Sequence, residues 1–209
     1  ANGEKSDGEM ETVEKTKEKT KRKSRVPTLT AYEEARLLYA KVDGERPVHL
    51  INVYAPNGQK VGSDRYHEKL EWFGELSRWM AESFGPDDRV TLLGDINIVP
   101  DDRDIFMPEL YTNDRHISCT AKEREVLSAL VKENSLSDTF RMFERGLGHF
   151  SFWGHKGMAW RNDAGWRLDQ IYASPSLASS CTAAWIDREV RGWDSPSDHV
   201  PIVAEFNLE

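Results

Sequence analysis

The first clear pattern of apolar and polar positions predicts two neighbouring strands followed by a helix. Residues 35–42 and 48–54 are rich in apolar side chains, and the polar residues 43–46 between them are typical of a turn. Residues 63–84 then place apolar side chains near helical spacing and stop at a Gly-Pro pair, which predicts an amphipathic helix. This alternation of strand and helix patterns favours the α/β class.

A buried strand with two polar residues at its end follows the predicted helix. Residues 89–93 form a short apolar run that predicts this strand, and Gly94 allows a sharp turn. The side chains of Asp95 and Asn97, one residue apart, project to the same side of an extended chain, at the edge where α/β sheets hold ligands. A carboxylate there can bind a hard cation or take a proton from water, and an amide can donate to a phosphate oxygen. The same residues also fit an Asx turn that closes the strand.

The second half of the chain continues the alternation of patterns. An irregular stretch from residue 100 to 116 is followed by Thr120 and Glu123, which fit a capping box at the start of a helix. The aromatic, glycine-containing segment 150–160 predicts a loop. Further strands are predicted at residues 166–173, 182–190 and 200–206.

The N-terminal residues differ in character from the rest and predict a charged, disordered tail. Residues 1–30 are mainly Glu, Lys, Thr and Ser, with almost no side chains to bury, so the segment cannot offset the entropy of its own ordering. Residues 19–25 are mostly cationic and fit either a basic arm for DNA or a solvated tail, of which we favour the tail. The predicted domain therefore covers residues 31–209.

Composition limits the classes of function. The 209 residues, 38% hydrophobic and 31% charged, are enough for one domain with a core. A formal net charge of −8 argues against broad non-specific binding of nucleic acid, but it leaves room for a local basic groove or for a carboxylate metal site. Cys119 and Cys181 match no zinc site and indicate a reducing compartment. With neither a membrane-span pattern nor a signal peptide pattern, we expect an intracellular, cytoplasmic protein without membrane contact.

Four short polar stretches lie at the ends of predicted strands. They contain Tyr54 and Asn57, Asp95 and Asn97, Asp169, and Asp198 with His199. Asp169 has apolar neighbours, and a buried carboxylate needs a partner, for which His199 is the natural candidate. A histidine held by a carboxylate has a raised pKa and can donate to a phosphate oxygen. Each residue alone fits a loop cap or a core contact, but the combination fits divalent-metal hydrolysis of a phosphodiester.

Five motifs along the chain together resemble one known family. They lie at residues 52–58 (Asn-Val-Tyr-Ala-Pro-Asn-Gly), 94–97 (Gly-Asp-Ile-Asn), 137–141 (Ser-Asp-Thr-Phe-Arg), 165–169 (Gly-Trp-Arg-Leu-Asp) and 197–201 (Ser-Asp-His-Val-Pro). Over residues 32–206 the sequence resembles the exonuclease III / abasic-site (AP) endonuclease branch of the endonuclease–exonuclease–phosphatase superfamily. The resemblance implies a partial four-layer α/β sandwich of the exonuclease III / DNase I-like type, formed by the C-terminal portion of the family domain.

The resemblance also implies roles for the polar residues that follow the second and third predicted strands. Tyr54 and Asn57 would contact the scissile phosphate of double-stranded DNA. Asp95 would orient and deprotonate the attacking water, and Asn97 would hold that water and the phosphate. The implied activity is hydrolysis at abasic sites and at 3′ ends.

The same resemblance implies a polarising pair and a metal site. Asp169 and His199 would form the pair that polarises the phosphate. Asp95, Asn97 and Asp198 would serve a Mg²⁺ ion, or Mn²⁺, which stabilises the charge that builds on the phosphate.

A pocket for the flipped, baseless sugar is implied as well. Phe152, Trp166 and Leu168 fall where the family lines this pocket, and an abasic nucleotide is cheap to flip because it has no base to unstack. Core packing is the alternative explanation for the aromatic residues Phe152 and Trp166.

Three departures from the family pattern carry expectations of their own. The family begins with a strand that carries an Asn and a strand whose Glu is the main metal ligand, and residues 1–30 match neither. Residues 153–155 (Trp-Gly-His) replace the usual acidic or aromatic pair after the Trp. Asp163 replaces an Asn and adds negative charge near a phosphate site, which is unfavourable unless a metal or a base offsets it.

We expect a second chain supplying the front half, a dimer, or marginal stability, because the missing strands would leave apolar sheet surface uncovered.

The sequence leaves several hypotheses open. The first is a Mg²⁺-dependent DNA repair nuclease of the exonuclease III type. The second is a catalytically impaired remnant or half-enzyme that binds DNA or a partner chain without cutting. A third changes the substrate to a phosphoinositide or an RNA phosphodiester, but residues 166–169 match the DNA-repair branch best.

Overall fold

The computed structural model of the chain describes residues 35–111, 114–155 and 158–208. The predicted tail of residues 1–30 lies outside these ranges. Within them, no helix has the length and apolar character needed to cross a membrane.

A five-stranded mixed sheet organises the fold. Its strands are β1 (Leu37–Val42), β2 (Val48–Tyr54), β3 (Arg89–Asp95), β4 (Ser137–Asp138) and β5 (Asp169–Ala173). The strand order is β1-β2-β3-β5-β4; β2 and β3 are parallel and the other neighbours are antiparallel. Strands β6 (Cys181–Ile186) and β7 (Ile202–Phe206) form a separate antiparallel pair. β5 therefore lies between β3 and β4, and it begins at the sheet edge where β2 and β3 end.

Helices cover the sheet and connect its strands. They are α1 (Asp64–Ser83), α2 (Pro108–Tyr111), α3 (Ala121–Glu133), α4 (Thr139–Phe143) and α5 (Pro175–Ala178), with 3₁₀ turns at Asp102–Asp104 and Arg188–Gly192. The parallel pair β2 and β3 needs a crossover connection, which α1 provides. The main core lies between the sheet and helices α1 and α3, and it includes the fully buried side chains of Ile51, Trp72, Leu76, Leu92 and Leu130.

The strand and helix patterns are largely confirmed, with differences that have physical reasons. Ser63 caps α1, and Thr120 and Glu123 form the predicted capping box of α3. The predicted strand at 166–173 is wrong for residues 166–168: Trp166 forms only isolated bridges, and the next two residues are loop before β5 begins. The strand predicted at 182–190 ends at Ile186 and is followed by a 3₁₀ turn.

A buried cluster of four charged residues fixes the segment before β5. Arg167 lies in this segment, and its Nε donates to Asp104 Oδ1 at 2.5 Å while its NH2 atom donates to Asp138 Oδ2 at 2.7 Å. Arg141 donates to the same Asp104 oxygen. We call these four residues the Asp104 cluster; its two aspartates balance its two arginines, and the Asp104 side chain is fully buried.

Candidate active site

Three of the predicted site residues lie in one row across the sheet. Tyr54 and Asp95 are partners at the ends of the parallel strands β2 and β3, and Asp95 is paired in register with Asp169, the first residue of β5. Residues in register on neighbouring strands project to the same face of a sheet. Strand pairing therefore brings these side chains together at one sheet edge.

Asn97 holds the carboxylate of Asp95 in one orientation. Its backbone N–H donates to Asp95 Oδ1 at 2.9 Å, and its Nδ2 donates to Asp95 Oδ2 at 3.1 Å and to the carbonyl oxygen of Ala55 at 2.9 Å. Asn57 Nδ2 donates in turn to Asn97 Oδ1 at 3.3 Å. Asn97 has a positive φ of 53°, which asparagine tolerates better than most residues. Both hydrogens of its side-chain amide are used within the protein, so Asn97 orients Asp95 in this arrangement. The predicted contact of Asn97 with the attacking water and the phosphate stays a prediction.

The position before Asp95 requires glycine, although the chain does not turn there as predicted, because β3 continues through Gly94 to Asp95. Gly94 has φ +123°, and a Cβ there would lie 2.1 Å from the carbonyl oxygen of Val53 in the neighbouring strand. We expect Gly94→Ala to lower the free energy of unfolding by about 3 kcal/mol, because backbone cannot move aside as a flexible side chain can.

Urea unfolding measures this effect, and Gly74→Ala is the matched control. Gly74 lies on the exposed face of α1, and a Cβ there meets nothing within 4 Å, so this change should stabilise the protein by about 0.5–1 kcal/mol. Equal effects of the two substitutions would contradict the steric argument.

Asp169 and His199 form a directly bonded pair. His199 Nδ1 lies 2.8 Å from Asp169 Oδ2 and donates to it, since an ionised carboxylate only accepts. Ser151 donates its hydroxyl proton to the same oxygen at 2.7 Å and accepts from the N–H of Asp169 at 2.9 Å. The sequence analysis missed Ser151; the available signal was a serine within an aromatic segment, since a fully buried hydroxyl needs partners.

The surroundings of the site raise the pKa of both Asp95 and His199. Burial raises the pKa of Asp95 from its ordinary value of 3.8 to about 6, and the negative charge of Asp169 adds to the shift. Burial by itself lowers the pKa of His199, but the hydrogen bond and the charge of Asp169, with the charges of the other nearby aspartates, raise it overall. The raised pKa of His199 favours its proton-donating form, and the raised pKa of Asp95 makes its carboxylate a better proton acceptor than an ordinary aspartate.

Phe152, Trp166 and Leu168 are brought together beside this pair. Phe152 forms backbone bridges to both Trp166 and His199, and the rings of Phe152 and His199 lie 4.8 Å apart. Leu168 is buried, while the other two side chains are half-buried and pack on the same small cluster. The three residues thus form an apolar wall, of which Phe152 contacts His199. That this wall lines a pocket for a baseless sugar stays a prediction.

Asp198 lies close to the site but is not joined to the other predicted metal ligands by a described contact. Its side chain is 3.9 Å from His155 Nε2, and its carbonyl oxygen accepts from the N–H of Trp153. Both carboxylate oxygens of Asp95 and the side-chain oxygen of Asn97 already accept hydrogen bonds within the protein.

The described residues do not by themselves complete a metal site. No group of three or more His, Cys, Asp and Glu side chains that could hold a metal ion occurs within the described ranges. Asp95 and Asn97 are in contact, but no described contact joins either of them to Asp198, so the assignment of these three residues as metal ligands stays a prediction.

Asp163, one of the departures from the family pattern, is offset by a base. Arg188 NH2 lies 2.8 Å from Asp163 Oδ1, and Trp153 Nε1 donates to the same oxygen at 3.1 Å. Arg188 also lies over the rings of Trp153 and Trp160, at 5.3 and 5.0 Å from their centroids. The extra negative charge is thus partly neutralised where it arises.

The mixed sheet with its helices, and the row of Tyr54, Asp95 and Asp169 at one sheet edge, belong to the DNase I-like AP endonuclease fold. Two solved structures illustrate it. A 3′ phosphatase, NExo, from Neisseria bound to product DNA hairpin has a TM-score of 0.79 and 31% identity, covering 87% of this chain and 68% of that one. An AP endonuclease from Archaeoglobus fulgidus has a TM-score of 0.75 and 29% identity, covering 83% and 65%.

Residues 25–199 match the endonuclease/exonuclease/phosphatase family, and the chain belongs to this family. It is 26% identical over 187 residues to exodeoxyribonuclease III of Haemophilus influenzae, covering 86% of this chain and 70% of that protein. It is 29% identical over 162 residues to an exodeoxyribonuclease of Bacillus subtilis, covering 77% and 61%. The resemblance, the fold class and the class of enzyme, hydrolases of the exonuclease III and AP endonuclease type, are thereby confirmed. The chain spans only 61–70% of the length of these two relatives.

Proposed function

We propose that this protein is a divalent-metal-dependent DNA repair nuclease that hydrolyses phosphodiesters at abasic sites and 3′ ends. The observation that supports this best is that the half-buried carboxylate of Asp95, whose pKa is raised to about 6, is paired in register with Asp169, which in turn holds the imidazole of His199. The names of the similar proteins, an exodeoxyribonuclease III, a 3′ phosphatase and an AP endonuclease, point in the same direction.

The chain's own residues supply a proton acceptor and proton donors for the reaction. Asp95 takes a proton from the attacking water while the oxygen of that water forms a bond to phosphorus. The bond from phosphorus to the 3′ oxygen of the preceding nucleotide breaks, and that oxygen takes a proton from solvent. His199, and Tyr54 whose side chain is exposed, donate to phosphate oxygens on which negative charge builds. The wall of Phe152, Trp166 and Leu168 offers an apolar surface to a flipped sugar without a base.

Cleavage of a labelled duplex with one abasic-site analogue tests the proposal. We expect cleavage 5′ of the abasic site with Mg²⁺ or Mn²⁺, and about a 100-fold loss in EDTA that added metal reverses, the range expected when a catalytic cation is removed. An undamaged duplex and a duplex with a 3′ phosphate, assayed in parallel, compare endonuclease with 3′-end activity. Cleavage that is indifferent to EDTA would contradict the metal requirement.

The alternative is a half-enzyme or remnant that binds DNA or a second chain without cutting. Two observations favour it: the described residues do not complete a metal site, and β6 and β7 pair with no further strand within the described ranges. A folded protein that binds the abasic duplex but does not cleave it at high concentration supports this alternative. Size-exclusion chromatography then distinguishes a monomer from a dimer.

A further inference from the structure

A single buried lysine joins the two asparagine-bearing segments of the candidate site to the helices behind them. Lys69, on α1, is fully buried. Its Nζ donates to the carbonyl oxygen of Asn97 at 2.8 Å, to that of Asn57 at 3.3 Å and to Glu123 Oε1 at 2.5 Å. An ammonium group has three N–H donors, so each donor of Lys69 has one partner.

Glu123, in the first turn of α3, holds the ammonium group of Lys69 in place. Its Oε1 also accepts from the backbone N–H of Ser118 at 2.9 Å, and its Oε2 accepts from the N–H and the hydroxyl of Thr120 at 3.0 and 2.8 Å. Glu123 is part of the capping box of α3 and is fully buried. The position of the ammonium group is therefore tied to the first turn of a helix.

The two loop segments that Lys69 contacts, those of Asn57 and Asn97, connect it to the carboxylate of Asp95. The side chain of Asn57 donates to that of Asn97, and Asn97 holds both carboxylate oxygens of Asp95. The stem of Lys69 also packs under the loop after β2, where a Cβ on Gly58 would lie 3.1 Å from Lys69 Cδ. A change at Lys69 would shift both loops together.

We propose that Lys69 is a positioning residue for the reaction: it fixes the separation of the Asn57 and Asn97 segments and, through Asn97, the orientation of Asp95. This inference rests on the proposed function, which gives Asp95 the role of proton acceptor. A buried ion pair is weak evidence for stability, because apolar side chains of similar volume stabilise a core as well or better. What an apolar side chain cannot replace is the pair of hydrogen bonds to the two loop carbonyls.

The double variant Lys69→Met/Glu123→Gln tests the proposal without leaving one buried charge unpaired. Methionine approximates the lysine stem, and glutamine keeps one carbonyl oxygen for the donors at the start of α3. We expect kcat on the abasic duplex to fall by about 30-fold with KM within about threefold, since small misplacements of a reacting group act on the chemical step. Circular dichroism and a thermal melt establish that the variant is folded.

Two further variants separate positioning from general destabilisation. Glu123→Gln alone removes the counter-charge of Lys69 but keeps its amine, which has two N–H donors for the two loop carbonyls even when it is uncharged. We therefore expect this variant to be at least about tenfold more active than the double variant. Ser77→Ala removes a different polar contact between α1 and α3, the 2.6 Å bond to Glu133 Oε2. This control should lower the melting temperature without lowering kcat.

A kcat of the double variant equal to that of Glu123→Gln would overturn the proposal. Should the double variant melt below the assay temperature, Lys69→Leu/Glu123→Gln takes its place, because leucine also lacks a donor for the loop carbonyls, and the same equality would again overturn the proposal. The side-chain amide NMR signals of Asn57 and Asn97 give a readout that needs no activity. They should shift in the double variant and stay unchanged in Ser77→Ala, and unshifted signals in the double variant reject the positioning role. An inactive wild type whose signals do shift on substitution of Lys69 counts against the proposed function alone.

Discussion

Asp95→Asn is expected to lower the rate of abasic-site cleavage by about a thousandfold, within the range for loss of a positioned general base. An amide cannot accept the proton of the attacking water at neutral pH. Single-turnover cleavage of the labelled duplex measures the effect. Asp87→Asn is the matched control, because Asp87 precedes β3 at its other end, is exposed, and loses the same charge. Activity of Asp95→Asn within tenfold of wild type would exclude Asp95 as the proton acceptor.

The same substitution is expected to stabilise the protein at pH 7. Because the pKa of Asp95 is raised to about 6 in the folded protein, the folded state binds more protons than the unfolded state between about pH 4 and 6. The free energy of unfolding therefore falls as pH rises through that window. Above about pH 6, the ionised carboxylate lowers the free energy of unfolding by about 3 kcal/mol.

The Asp95→Asn variant would recover part of this amount, about 1–2 kcal/mol, since the single oxygen of the new amide can accept only one of the two bonds from Asn97. Urea unfolding from pH 4 to 8 should show a flatter profile for the variant. Parallel profiles for variant and wild type would contradict the assigned shift.

Asp104→Asn is expected to lower the free energy of unfolding by about 3–5 kcal/mol, because it leaves Arg141 and Arg167 in a buried cluster with only Asp138 to balance them. Burial disfavours the charged form of Arg167, while Asp138 and Asp104 keep its pKa above the ordinary range, so it stays charged. For a domain of this size the melting temperature should fall by roughly 10 °C.

Asp102→Asn is the control within the same turn. The ion pair of Asp102 with Arg124 is solvent-exposed on the aspartate side, so its loss should change stability by less than about 1 kcal/mol. Adding Arg141→Leu to Asp104→Asn restores the charge balance and should recover part of the stability. If Asp104→Asn melts like Asp102→Asn, the cluster does not stabilise the fold as argued.

The strand ends that form the site could be predicted from sequence because local patterns mark them. Gly94 and Asp95 end an apolar run, and Asp169 lies among apolar neighbours, so both the edge position and the need for a partner could be read from the sequence. His199 does contact Asp169. The roles assigned to these residues in catalysis remain predictions.

Other features depend on contacts that no local pattern carries. In α1, Lys69 is fully buried whereas its apolar neighbour Leu70 is only half-buried. A pattern of apolar positions cannot predict this, because it counts lysine as polar. Asp104 lies in a stretch without periodicity, and its partners come from two distant segments. Such polar networks are specified by the tertiary fold and not by propensity.

The position of β5 between β3 and β4 has a consequence for how the chain acquires its site. β1, β2 and β3 can pair as soon as that part of the chain has collapsed, but β4 pairs only with β5 among the described strands. Asp169 reaches Asp95 only when β5 inserts, and closing the long intervening loop carries an entropy that must be met before its contacts form. We therefore expect the row of Tyr54, Asp95 and Asp169 to be completed at a late, non-local stage of folding. During refolding, the proposed cleavage activity should return later than helix content.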